Sequence, residues 1–425
     1  MKKVLIITYY WPPAGGPGVQ RVLKYSRYLP EFGWQPVILT VENPSSPAKD
    51  SSLLEKIHEK CIIYKTKTLE PFAAYKSFTG KSKDASIPKD VIAKKEKSSL
   101  KENAALWIRA NIFVPDARIG WIPYLVKQGK EIIEKEKPEI IFSTSPPHSL
   151  QIGARRLAKL SKLKWVADFR DPWNEAYWER DIGKSGPARR LNMYFEKKTL
   201  QEAHFVTTVS EGYYQMFGRK HKTDYALLHS GFEDINTDVV QTDRFSIIFI
   251  GNLSKYQSPM PFLEALKTLP ENIRSAIDIY FIGKVFDDYK DALLKAGIIL
   301  KDYIPYKELM TFLKSASLFL LLIHETEYTV GYLPVKIYDY LSLRKPILAI
   351  GERNSIADQV LQKTESGSLF EKNELQNIAD FIKKHFEQWQ KDKSVLLAVN
   401  DNLMQYSTKQ NVKELATIFN KLTRE

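Results

Sequence analysis

The chain has a single cysteine, Cys61, in 425 residues. An internal disulfide is therefore excluded, and the cysteine usage fits a reducing compartment, the cytoplasm. No stretch approaches the run of about 20 apolar residues that a membrane-spanning helix needs. Met1-Lys2-Lys3 before an apolar run imitates a signal peptide, yet the run ends at Trp11-Pro12-Pro13 without a small-residue cleavage site. Zinc-ligand spacing, an RNA-binding aromatic motif and a helix-turn-helix are all missing, so no nucleic-acid partner is expected. Acidic residues are outnumbered, 50 Asp and Glu against 63 Lys and Arg, for a net charge of +13. Lysines crowd the segment from Lys56 to Lys101, interleaved with Tyr64, Tyr75 and Phe78. Such a face is either solvated or held against an anionic membrane surface. The expected location is the cytoplasm, peripheral to the inner face of the cell membrane.

What is present points to a large globular protein. Hydrophobic content of 44% and aromatic content of 12% can fill sizeable cores, and the length suits two domains. Strand patterns lie at Val4–Thr8, Gln35–Thr40, Ile62–Lys65, Glu139–Ser143, Lys164–Asp168 and His204–Val209, with helical patterns such as Leu150–Leu160 and Leu191–Glu202 between them. The rhythm restarts at Phe245–Asn252, Ile277–Gly283, Ser317–Ile323 and Pro346–Gly351, with helices such as Met260–Thr268 and Tyr306–Lys314. Strand alternating with helix implies right-handed crossovers and parallel sheets. The expected domains are residues 1–235, with an insertion over 45–122 whose stretch Ala85–Ser99 is polar and expected to be mobile, and residues 245–398. The polar stretch Glu233–Arg244 is the linker candidate, and residues 402–425 read as a last helix returning to the first domain. Two doubly wound α/β domains would face each other across a cleft at the carboxyl ends of their strands.

Two segments carry candidate chemistry. In VLIITYYWPPAGGPGVQR, Val4 to Arg21, a buried-strand pattern breaks into a loop with Gly15, Gly16 and Gly18 ahead of a basic helix. Glycines let backbone amides close on a ligand, and a helix start favours negative charge. The spacing is neither that of a P-loop nor that of the dinucleotide fingerprint, so an anion or a sugar is as far as the loop itself points; a plain βα turn is the alternative. In HETEYTVGYLPVKIYDYLSLRKPILAIG, His324 to Gly351, Lys336 and Asp339 stand three apart at the start of a helical pattern. Lys336 could meet a phosphate that the helix dipole also attracts, and Asp339 could accept two hydrogen bonds from a ribose diol. An ordinary surface ion pair is the bland alternative.

The pattern Pro-x-Lys-x-x-Asp-Tyr-Leu, followed by Arg-Lys-Pro and an apolar strand, resembles the family-four glycosyltransferases of GT-B fold. Gly15-Gly16-Pro17-Gly18, FRDPW at Phe169–Trp173, TTVSEGYYQMF at Thr207–Phe217, HSGFE at His229–Glu233 and FIGNL at Phe249–Leu253 agree with it in order and spacing. The resemblance implies a retaining, hexosyltransferase-like enzyme using a nucleotide-diphosphate sugar as substrate, with no further cofactor. It places the glycine loop beneath the diphosphate or the transferred sugar, and Asp339 at the second acid of the family's paired-acid motif, on the ribose. The first acid falls at Gly331, so sugar contacts would come from backbone amides between Thr329 and Leu333, including Tyr332, or from Glu325 or Glu327. The family's arginine and lysine after the FIGNL glycine are replaced by Asn252 and by a choice of Lys255 or Gln257. The cationic clamp is thus incomplete or rebuilt with Lys336. Base recognition is expected near Ile304 to Tyr306.

In the first domain, STSPPHS puts His148 between a strand end and a helix, facing the expected cleft, as a catalytic residue in contact with the ligand or as a structural one. ADFRDPW puts Asp168, Arg170 and Asp171 at another strand end. Arg170 could neutralise the two carboxylates; otherwise Asp171 is the acid to orient, or draw a proton from, the acceptor hydroxyl. No Asp-x-Asp motif is present, so no metal is required. The expected reaction moves a sugar onto a glycan or polyprenyl-linked glycan in cell-surface polysaccharide synthesis. A sugar-nucleotide epimerase of the same architecture and a non-catalytic nucleotide- or glycan-binding protein are the rivals.

Overall fold

The computed structural model describes residues 1–44, 49–69, 100–176, 179, 182–221, 223–236, 238–324 and 331–424. Ala85–Ser99, Glu325, Glu327 and Thr329 lie outside the described residues. Two compact units form: residues 1–229 with 411–425, and residues 230–410.

In unit 1, β1 (Lys2–Thr8), β2 (Trp34–Val41), β3 (Ile62–Thr66), β4 (Ile140–Ser145), β5 (Lys164–Phe169), β6 (Phe205–Thr208) and β7 (Tyr225–Leu227) make a seven-stranded sheet in the order β3-β2-β1-β4-β5-β6-β7. Every pairing is parallel, β1 on β2 with Leu5 opposite Val37 and β1 on β4 with Leu5 opposite Ile141. Side chains of β1 alternate between two buried layers, as a covered parallel strand requires. Leu5 and Ile7 pack with Leu125, Ile132, Leu150 and Leu157 of helices Ile122–Glu136 and Ser149–Ser161. Val4 and Ile6 pack with Val22 and Leu23 of helix Pro17–Tyr28 and with Val412, Leu415 and Phe419. The Phe419 ring reaches Trp34 at 5.2 Å and Phe142 at 5.9 Å, which seats the end of the chain on this unit.

Unit 2 repeats the plan with β8 (Phe245–Ile250), β9 (Ile277–Ile282), β10 (Ile299–Lys301), β11 (Leu318–Leu322), β12 (Ile347–Ile350) and β13 (Gly367–Phe370), in the order β10-β9-β8-β11-β12-β13, again parallel. Phe245, Ile247 and Phe249 face helices Met260–Thr268 and Leu375–Asp392, while Ile248 and Ile250 face helices Lys336–Leu343 and Ile356–Thr364. Each sheet reverses its winding once, between β1 and β4 and between β8 and β11, and open α/β sheets bind ligands at such switch points.

Three strands have no counterpart in the sequence patterns: β7, β10 and β13. Each is a three- or four-residue edge strand, half exposed, with no run of β-branched residues to mark it. The tail also differs. Residues 401–406 form a 3-10 turn, and the helix starts only at Thr408. Phe232 N donates to the Tyr406 carbonyl at 3.1 Å and Thr408 N donates to the Phe232 carbonyl at 2.7 Å, so the chain between is held extended. Glu233–Arg244 lies within unit 2 and is strapped there by Asn236 N to the Ser342 carbonyl (2.8 Å) and Thr242 N to the Lys393 carbonyl (2.9 Å).

Candidate active site

At the switch point of unit 2, β8 runs into Gly251 and β9 into Gly283, both at positive φ. A Cβ on Gly283 would stand 2.6 Å from the Gly251 carbonyl oxygen, so only glycine lets these strand ends approach. Lys336, the first residue of helix Lys336–Leu343, runs its stem beneath this turn. Its Nζ lies 3.7 Å from the centroid of the Phe249 ring, is buried, and has no hydrogen-bond partner. Burial alone pulls its pKa down to about 7. The helix start adds positive potential at the same place, although its Ile337 and Tyr338 amides donate to the Pro334 and Val335 carbonyls at 3.0 and 3.1 Å, so an anion arriving there would meet the ammonium first. His324, just past β11, meets the Tyr332 ring edge-on at 5.0 Å. Burial, and then the charge of Lys336, push the His324 pKa down to about 4.

One turn along the helix, Asp339 is half-buried and accepts a hydrogen bond from the Tyr306 hydroxyl at 2.8 Å. Burial and the charges of Asp339 and Glu233 raise the Tyr306 phenol far above its usual range, so it stays a donor. The helix cannot drift: the Tyr340 ring stacks on Phe319 at 4.1 Å, and its hydroxyl accepts from Ile250 N at 3.0 Å and donates to the Leu320 carbonyl. Gly331 and Leu333 are buried on the approach to this helix and Tyr332 is half-buried. Asn252 and Lys255 are exposed, with the Lys255 ammonium 4.7 Å from its neighbour ring Tyr256. Gln257, the other residue considered for the clamp lysine's place, is buried. Its amide donates to the Leu322 carbonyl at 2.7 Å and its oxygen accepts from Ser254 N at 3.2 Å, so it ties the loop to β11.

In unit 1, the glycine loop follows β1, the strand that borders β4 at the switch point. Gly15 is buried; Gly16 has φ +98°, and a Cβ there would meet nothing within 4 Å. At Gly18 a Cβ would stand 2.9 Å from Nη1 of Arg170. Arg170 donates to the carbonyls of Gly18 (2.5 Å), Ser145 (3.1 Å) and Pro146, which clamps the glycine loop to the end of β4. It is Arg21 that pairs with Asp168, from Nη2 at 2.8 Å and Nε at 3.3 Å, both residues being buried. Thr144 and Thr207 complete the Asp168 carboxylate at 2.6 and 2.7 Å. Arg170 thus makes its hydrogen bonds to carbonyls while feeling the charges of Asp171 and Asp168, as expected of it, and the direct ion pair at Asp168 is made by Arg21. Asp171, half-buried, follows Arg170 in the loop after β5. His148 is buried, stacked on Trp173 at 4.8 Å, with Nδ1 3.2 Å from Ser145 Oγ and Nε2 3.2 Å from the Pro172 carbonyl. A carbonyl only accepts, so Nε2 carries the proton, and burial holds the pKa down at about 4.

Residues 232–396 match the family model described as "Glycosyl transferases group 1". Unit 2 carries a group 1 glycosyltransferase domain. A search of curated proteins finds no match. Among solved structures, TarM covers 99% of this chain and 99% of its own with TM-score 0.62 and 10% identity. Anabaena Alr3699/HepE in complex with UDP and glucose covers 99% and 100%, with TM-score 0.60 and 12% identity. Sucrose-phosphate synthase from Thermosynechococcus elongatus covers 100% and 97%, with TM-score 0.58 and 12% identity. These likenesses establish the fold: two parallel-sheet units of GT-B type over the whole chain.

The glycosyltransferase domain therefore holds, at its switch point, a buried cation at a helix start and a carboxylate one turn later. That pairing suits a phosphate and a vicinal diol. Among the described residues no His, Cys, Asp and Glu cluster could hold a metal ion. Sequence patterns marked Lys336 and Asp339 but not Phe249, His324 or Tyr306 as their partners. Only the fold brings β8, β11 and the helix Tyr306–Leu313 against the helix that bears them.

Proposed function

We propose that the protein transfers a sugar from a nucleotide-diphosphate sugar to a glycan or polyprenyl-linked glycan acceptor, with retention, in cell-surface polysaccharide synthesis. The observation that carries this reading is the Lys336 ammonium, buried and without a partner at a helix start. As the glycosidic bond breaks, negative charge accumulates on the departing diphosphate. A desolvated cation and a helix dipole stabilise it more than they stabilise the bound donor. Asp339 holds the ribose, while Asn252, Lys255 and the backbone of Gly331, Tyr332 and Leu333 line the donor. The backbone from Thr329 belongs to the same proposed contacts, with Glu325 or Glu327 as the alternative source of the sugar contacts. In unit 1, the amides around Gly15, Gly16 and Gly18 contact the diphosphate or sugar, and Asp171 orients the acceptor hydroxyl for attack on the face the diphosphate leaves. His148 fixes the Pro172 carbonyl, and through it the loop that bears Asp171. The lysine-rich segment from Lys56 to Lys101 is the proposed contact with an anionic membrane face, which fits the absence, among the described residues, of any helix long and apolar enough to cross a bilayer.

Product analysis tests the reading. Nucleoside diphosphate released only in the presence of acceptor, together with a new α- or β-linked product matching the donor's anomer, is the expected result. Isomerised nucleotide-sugar formed without acceptor would establish an epimerase. Tight nucleotide binding without turnover over a broad acceptor panel would establish a binding protein.

A further inference from the structure

We propose that the outward faces of helices Leu100–Asn111 and Gly186–Glu202 in unit 1 dock on an anionic bilayer, with apolar side chains entering the headgroup region and basic ones on lipid phosphates. This rests on the proposed function only in taking an anionic membrane face as partner, and it gives that contact to residues outside the lysine-rich segment. Helix Gly186–Glu202 turns its polar middle inward. Asn192 takes the Trp173 indole N–H at 2.8 Å, and Glu196 accepts from Asn174 at 2.5 Å and from Lys220 at 3.0 Å. What it shows to water is Leu191, Met193 and Tyr194, each about half exposed, among the exposed Arg189, Arg190 and Lys197. No carboxylate of this helix is exposed: Glu196 is buried, and Glu202 is half-buried and pairs with Arg155 and Lys159.

Helix Leu100–Asn111 adds Trp107, Ile108 and, just past its end, Ile112, exposed by 57%, 42% and 61%. Its end meets the start of the other helix: Asn111 Oδ1 accepts from Ser185 N at 2.7 Å, and Lys184 donates to the Pro115 carbonyl at 3.2 Å. At about 1.5 Å per residue, Trp107 lies about 6 Å along one helix from that junction and Leu191 about 9 Å along the other. The exposed apolar residues are therefore grouped around one joint, which marks an interaction surface, whereas single ones scattered over a protein need no explanation. Trp and Tyr beside Arg and Lys suit the boundary of a bilayer, where amphipathic rings sit at headgroup level and cations are drawn to anionic lipid. A second copy of the chain would set cation against cation, and the net charge of +13 likewise favours an anionic partner.

Co-sedimentation of the full chain with phosphatidylcholine vesicles, with and without phosphatidylglycerol, tests this. Wild type should bind only the anionic vesicles. Arg189→Gln with Arg190→Gln should lose about tenfold or more, at about fivefold per basic residue, and the loss should shrink in high salt. Leu191→Ser with Tyr194→Ser should lose about tenfold as well, by an amount that salt does not change. Brominated lipid should quench the Trp107 fluorescence, and Trp107→Phe should remove most of the quenching, since Trp11, Trp34, Trp121, Trp165, Trp173 and Trp389 are buried. Undiminished vesicle binding in the Leu191 and Tyr194 variant, or quenching unchanged in Trp107→Phe, overturns the inference and leaves the membrane contact to the lysine-rich segment. A wild type that ignores anionic vesicles, even one that pairs through these residues with itself or with an acidic protein, overturns both this surface and the proposed membrane contact. Sugar transfer is decided separately, by product analysis. Thermal melts of each variant check that the fold is intact.

Discussion

Lys336→Met replaces a buried ammonium by an apolar group of similar length, and the structure sets both the sign and the size of the effect. Burial takes the lysine from 10.5 to about 7. Three and a half units at about 1.36 kcal/mol each make the charged form about 5 kcal/mol less favourable in the folded protein than in the unfolded chain. The folded pKa lies below the unfolded one, so the folded state binds fewer protons between pH 7 and 10.5. The penalty is complete below pH 7 and disappears above pH 10.5. Against this stands the attraction of the Phe249 ring for the ammonium, about 2 kcal/mol when desolvated, so Lys336→Met should raise the unfolding free energy of the unliganded protein by about 3 kcal/mol at pH 6 and by little at pH 11. The same substitution should cut turnover at least a hundredfold, since about 2.7 kcal/mol or more is typical for the loss of one preorganised charge contact in a transition state. Urea unfolding at pH 6, 8 and 10, with initial rates on the same preparations, measures both. A variant less stable than wild type at pH 6, or a stability gap that does not change with pH, would refute the claim that the cost of burying this cation exceeds what the Phe249 ring returns. A normal turnover number would return Lys336 to an ordinary surface role.

Other outcomes follow from the same geometry. Nucleoside diphosphate binding should take up protons near pH 7, because an anion beside Lys336 raises its pKa; calorimetry in buffers of different ionisation heat measures the uptake, and its absence removes the phosphate contact. Asp339→Asn should weaken nucleotide binding by roughly tenfold or more while the melting temperature holds, since charge-assisted hydrogen bonds contribute about 1.5–3 kcal/mol; unchanged affinity would sink the ribose assignment. Gly16→Val should abolish transfer with a stability loss of about 1–3 kcal/mol, the strain of φ +98° with ψ 172° where a side chain meets no neighbour; normal transfer would leave the glycines as a turn. Asp168→Asn should cost about 3–5 kcal/mol by leaving buried Arg21 without its counter-charge, and urea unfolding with less than 1 kcal/mol of change would contradict that pairing.

The central strands were legible in the sequence because burial on both faces demands an apolar run, and Val4–Thr8 or Phe245–Ile250 can be read no other way. Their alternation with helices called for parallel sheets, and the spacing of Lys336 and Asp339 placed both on one helical turn, since three residues separate neighbours along any α-helix. Local rules of this kind do not reach further. The edge strands β7, β10 and β13 depend on a neighbouring strand to pair with, and their own residues carry little signal. The break at Ser407 depends on Phe232, distant in sequence, hydrogen-bonding to both sides of it. Arg21 and Asp168 are 147 positions apart, so nothing in ADFRDPW could tell that Asp168 was already paired and that Arg170 was left to clamp carbonyls. Lys336 shows the division most sharply. Its sequence neighbours left open a phosphate contact or a surface ion pair; the packing of its stem by Phe249 and Gly251 made its ammonium a buried one without a hydrogen-bond partner. A charge acquires its chemistry from the dielectric and the partners around it, and those are assembled only when strands and helices from separate parts of the chain close over it.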